Sequence, residues 1–67
     1  MKAYGIIKDY DGYCGTIISN DNIEYLLLRK ELLYDDVNKG DVVIFTPETI
    51  STLTETKNIA RFVKKKI

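Results

Sequence analysis

The side chains able to do chemistry are few, and their types narrow the options at once. The 67 residues contain no histidine and a single cysteine, Cys14. Without histidine the commonest acid–base group and zinc ligand is missing, so histidine catalysis and zinc binding are not expected. Cys14 cannot form an internal disulfide, which suits a reducing compartment, and a cytoplasmic protein is expected. Nothing near it in sequence lowers its pKa predictably, so Cys14 reads as a small strand residue. Asp9 and Asp11 can share a face, but no nucleophile accompanies them, and they read as solvated turn carboxylates. Asp35 and Asp36 are adjacent carboxylates without the further spacing of a cation loop. No enzyme activity, metal or cofactor is expected.

Binding chemistry is what remains. Five tyrosines (Tyr4, Tyr10, Tyr13, Tyr25, Tyr34) supply flat rings. A strand tyrosine more often packs its ring and leaves the hydroxyl at the surface. Tyr10 and Tyr25 read that way, whereas Tyr13 and Tyr34 are open to either role. Ten Lys and Arg balance ten Asp and Glu, so the net charge is zero, unlike the basic excess of a dedicated duplex binder. Arg61, Lys64, Lys65 and Lys66 make the C-terminus basic. Lys64-Lys65-Lys66 reads first as a solubilising tail and second as a phosphate contact.

The elements that must position these groups are strands. Gly5 to Ser19 is a β-branched run, the turn pair Asp11-Gly12, and a second β-branched run, which marks a hairpin. The first strand is expected over Met1–Tyr10, with Gly5 as a bulge or close backbone contact. The second is expected over Tyr13–Ser19. Asn20-Asp21-Asn22 is a turn, and Ile23–Leu28 is the third strand. Arg29–Tyr34 suits a single helical turn. After a loop and the turn Asn38–Asp41, Val42–Thr46 is the fourth strand, ended by Pro47. Glu48–Thr56 reads as a loop, or partly a short helix. Lys57–Lys64 holds the fifth strand, with Ile59, Ala60, Phe62 and Val63 available for burial.

At 45% hydrophobic and 30% charged residues, the chain reads as one small globular domain over residues 1–67. No apolar run is long enough for a bilayer and no signal peptide is visible, so no membrane partner is expected. The expected fold is all-β: a small five-stranded antiparallel barrel with one short helical turn after strand three. Closure removes the exposed edges an open sheet would leave. The oligonucleotide/oligosaccharide-binding (OB) barrel is the first candidate and a Src-homology-type barrel the second.

The order of landmarks resembles a cold-shock domain over nearly the whole chain. That family's opening Gly-x-Val-Lys-aromatic-Phe-Asn is similar to Gly5-Ile6-Ile7-Lys8-Asp9-Tyr10-Asp11. Its first ribonucleoprotein motif, Lys-Gly-aromatic-Gly-aromatic-Ile, looks like Gly12-Tyr13-Cys14-Gly15-Thr16-Ile17. Its second falls on Glu24-Tyr25-Leu26-Leu27-Leu28-Arg29, followed by Lys30-Glu31-Leu32. Lys39-Gly40-Asp41-Val42-Val43 and Ala60-Arg61-Phe62 match its later landmarks. The likeness lies in spacing and glycine placement, and no single motif is intact.

The resemblance implies single-stranded RNA or DNA binding by base stacking on strands two and three, worth about 1–3 kcal/mol per base. Carried over position by position, the stacking platform is Asp9, Cys14, Thr16, Leu26, Leu28 and Arg29. Nearly every aromatic is gone, so binding is expected to be weak. The nucleic-acid candidates are Lys8, Tyr13, Thr16, Arg29 and Tyr34. A second reading uses the same substitutions. If Tyr25 and Leu27 face inward, Leu26 and Leu28 face outward beside Cys14 and Thr16. Such a patch suits a protein partner or a second copy of the chain. A register shift of one residue would bury the leucines instead.

Overall fold

The computed structural model describes residues 2–33 and 37–66. The β-branched runs form β1 (Ala3–Tyr10), β2 (Cys14–Ser19), β3 (Glu24–Leu28), β4 (Val42–Ser51) and β5 (Thr56–Lys65), with a 3-10 turn at Arg29–Glu31. The strands close into a barrel in the order β1-β2-β3-β5-β4. This is the order of an OB barrel, with the short turn after strand three where the sequence places it. Tyr34, Asp35 and Asp36 lie outside the described residues.

One seam departs from the expected antiparallel barrel. β3 and β5 run parallel, with Leu26 opposite Ile59, while the other four pairings are antiparallel. β4 runs opposite to β3, and the β4–β5 hairpin then brings β5 back in the direction of β3.

β4 is the second correction. Pro47 does not end it; the strand runs on to Ser51, with Pro47 opposite Ala60. β1 follows β4 only as far as Phe45. Beyond that point, among the described residues, β4 pairs only with β5, and a strand with an open edge accommodates proline. The expected loop or helix over Glu48–Thr56 is therefore a hairpin arm rich in Thr, which favours strands. Its turn closes where the Thr52 amide donates to the Glu55 carbonyl at 2.8 Å.

Two glycines let β1 and β2 approach. A Cβ at Gly5 or Gly15 would lie closer than 3.0 Å to backbone of the facing strand. Gly5 is thus the close contact rather than the bulge. The register shifts between Ile7 and Asp9, so the extra residue is Lys8.

Inward alternation builds the core from Ile7, Ile17, Leu27, Val43, Phe45 and Val63, all at 1% exposure or less. Tyr10 and Tyr25 pack against it as expected, and the Tyr25 and Phe45 rings sit 5.0 Å apart. Ile59 and Phe62 do not join the core. Ile59 is half-buried, and Phe62 is 57% exposed, at a positive φ of 53° beside a β4–β5 register shift. Among the described residues, no helix is long and apolar enough to cross a membrane.

Candidate binding face

Strand parity decides which residues of β2 and β3 face out. Ile17 and Leu27 are fully buried, so their neighbours point to the outer wall. Cys14 lies opposite Leu28, and Thr16 opposite Leu26. Leu26 is 37% exposed, Leu28 and Thr16 are half-buried, and Cys14 is exposed. The register that would have buried both leucines is not adopted. Asp9 of β1 lies opposite Thr16, and Ile59 of β5 opposite Leu26, extending the wall to either side. Ile59 was hidden from sequence reasoning because the parallel seam that places it pairs distant segments.

A shallow groove of about 440 Å³ crosses this wall, lined by Asp9, Tyr10, Asp11, Cys14, Thr16 and Leu26. Asp11 anchors its rim. The backbone amides of Tyr13 and Cys14 each donate to Asp11 Oδ1 at 2.9 Å. These bonds, led by the one from Cys14, hold the carboxyl below its usual range. Asp11 is therefore ionised at neutral pH. It is also the turn carboxylate that the sequence suggested, with Gly12 at a φ of 96° completing the turn.

The same turn presents Tyr13, which is 77% exposed. The Arg29 amide donates to the Tyr13 carbonyl at 3.0 Å, and Arg29 Nη1 donates to the Gly12 carbonyl at 3.2 Å. Exposed Tyr13 and exposed Arg29 are thus tied through the turn backbone at one end of the wall. Lys8, on the bulge, reaches across β2 to Glu24 at 3.9 Å. Both partners are exposed, so the pair is worth little. Thr16 lies on this wall, Tyr13 and Arg29 lie at its end on the turns that follow β1 and β3, Lys8 borders it, and Tyr34 lies outside the described residues.

The basic C-terminus is not a free tail. Arg61 Nε lies 3.0 Å from Glu31 Oε1, and its Nη1 lies 3.1 Å from Glu48 Oε1. The Glu31 hydrogen bond and charge, with Glu48 adding to them, raise the guanidinium pKa. Arg61 thereby ties the 3-10 turn to the β4–β5 hairpin. No sequence signal marks this cluster, whose members come together only in the closed barrel. Lys64 and Lys65 belong to β5, Lys65 pairs with Asp41 at 3.6 Å, and Lys66 Nζ sits 5.1 Å from the Tyr4 ring centroid.

Among the described residues, no group of three acidic or cysteine side chains is placed to hold a metal. No protein-family model matches the chain, and no curated protein is significantly similar to it.

Proposed function

We propose that this barrel is a non-enzymatic module that binds single-stranded RNA or DNA weakly across the outer wall of β2 and β3. The observation that carries the reading is the 77% exposed Tyr13 on a turn whose Gly12 and Tyr13 carbonyls accept two hydrogen bonds from Arg29. A ring accepts the face of any base, and a guanidinium beside it suits a phosphate. The cold-shock resemblance and the OB strand order favour the same face.

The wall also sets the limit on affinity. One stack contributes about 1–3 kcal/mol, and ionised Asp11 repels phosphate from the groove. A strand is left to run past Tyr13, Arg29, Lys30 and Lys8. With so few cations the salt dependence is shallow, and binding is strongest at low salt. Titration of fluorescent oligouridine at low salt tests this. Tyr13→Ala is expected to weaken binding roughly tenfold or more. Undetectable binding by the native chain, or an unaltered affinity in Tyr13→Ala, refutes the proposal.

A second reading rests on Leu26, exposed beside Asp9 and Asp11 in the groove. That combination suits a protein segment carrying an apolar side chain and a cation. Leu26→Lys should abolish such an interaction and leave oligonucleotide binding unchanged or stronger.

A further inference from the structure

A second cleft, of about 300 Å³, shares Tyr10 and Asp11 with the groove and adds Gly12, Arg29, Val37 and Asn38. Segments far apart in the chain build it. The Asn38–Asp41 turn is pinned to β1, where the Ile7 amide donates to the Asp41 carbonyl at 3.0 Å and the Gly40 amide to the Ile7 carbonyl at 2.8 Å. Val37 is buried in the core and fixes its part of the lining. Asp11 and Arg29 are both fixed to the turn between β1 and β2. Asp11 Oδ1 accepts from the Tyr13 and Cys14 amides, and Arg29 Nη1 donates to the Gly12 carbonyl. Asp11 Oδ2 and the remaining guanidinium N–H groups lie outside these bonds.

Among the described residues, the charged side chains that line this cleft are Asp11 and Arg29, one of each sign, and they do not pair with each other. Asp41, which accepts from the Asn38 amide at 2.8 Å, is paired with Lys65. Lys8 lies with Glu24, and Asp9 lines the groove instead. Lys30 and Lys39 are exposed and do not line the cleft. A phosphate suits Arg29 but is repelled by Asp11, and an ammonium group suits Asp11 but is repelled by Arg29. A neutral ring with donors on one edge and acceptors on the next suits both. Guanine is such a ring. Its O6 and N7 accept a bidentate pair from arginine, the commonest specific contact to a base, and its N1–H and 2-amino groups donate to a carboxylate. Adenine has an amino donor where guanine has O6. A cleft of this volume is at the low end for small-molecule sites, which suits one base rather than a longer segment.

We propose that this cleft is a guanine subsite for a single strand bound across the β2–β3 wall, with Arg29 on the O6/N7 edge and Asp11 on the N1–H and 2-amino edge. The proposal rests on the nucleic-acid reading and adds base preference to it. Tyr13, on the same turn, is left to stack a neighbouring base. Asp11, which keeps phosphate out of the groove, thereby gains a positive role beside it.

Anisotropy titrations of the intact chain at low salt test this, comparing fluorescent oligouridine with the same strand carrying one central guanosine. The guanosine should tighten binding roughly tenfold, the worth of one bidentate base contact. Adenosine in its place should give no gain. Inosine, which lacks the 2-amino group, and 7-deazaguanosine, which lacks N7, should each lose most of it. Asp11→Asn keeps an oxygen for the two turn amides, and Arg29→Lys keeps the positive charge, yet each should bind the two strands equally. Every variant is scored by the ratio of its own two affinities, which a partial folding defect does not change. Oligouridine binding with no gain from guanosine overturns the subsite and leaves the nucleic-acid reading standing. Undetectable binding of both strands overturns both. A gain that inosine reproduces in full, or that survives in either variant, also overturns the subsite.

Discussion

Gly15→Ala is the sharpest test of how the binding wall is held. Gly15 is buried in β2, and its missing Cβ would press on the Asp9 carbonyl oxygen and the Tyr10 Cα of β1. These are backbone atoms, so no side chain can rotate away. Overpacking costs about 1–3 kcal/mol, and rigid neighbours place this case near the upper end. A domain of 67 residues has a total stability of about 3–10 kcal/mol. The substitution therefore removes a large share of it, lowering the melting temperature by roughly 12–24 °C. Thermal unfolding by circular dichroism measures the loss. Gly12→Ala is the control: its Cβ meets nothing within 4 Å, but its φ of 96° adds strain of about 1–2 kcal/mol. Gly15→Ala should be the more damaging of the two. If it unfolds within about 0.5 kcal/mol of the native chain, an ordinary surface change, the close approach of β1 and β2 is not what orders the wall.

Two further predictions concern the turn and the bulge. Asp11 has a folded pKa below its ordinary value of 3.8, so its contribution to stability is complete above that value and fades as pH falls through the folded pKa. Urea unfolding between about pH 5 and pH 2 should show a decline that is shallower in Asp11→Ala; identical profiles would refute the assignment. Phe62 holds a φ of 53° with its ring 57% exposed. In Phe62→Gly the relief of about 1–2 kcal/mol of strain offsets about 0.5–1 kcal/mol of added chain entropy, so stability should hardly fall. A loss above about 2 kcal/mol, as expected of buried Leu27→Ala, would contradict it.

The residues that were legible in the sequence are those whose signals are local. Asp11-Gly12 and Asn38–Asp41 mark turns because Asp tethers nearby amides and Gly takes positive φ, and both turns form. Pro47 misled because its effect depends on neighbours: proline breaks a flanked strand, and among the described residues β4 is paired on one side only at that point. Glu48–Thr56 was read as a loop because a ribbon reaching past the core has no buried face to imprint a pattern. Leu26 and Leu28 were assigned to the outer wall only conditionally, since consecutive leucines carry no alternation of their own.

Sequence alone determined the strands and turns apart from the second half of β4 and its hairpin turn, the single-cysteine and histidine-free chemistry, and the five-stranded closure. Those follow from local propensity and from the need to cover strand edges. Tertiary structure decided which residues become neighbours across the walls. It placed Arg29 against the Tyr13 turn, Ile59 beside Leu26, Arg61 between two glutamates, and Ile6 between Val42 and Ile18. Such pairings depend on the stagger of a closed barrel, which joins residues far apart in the chain and leaves no periodic trace in any one segment.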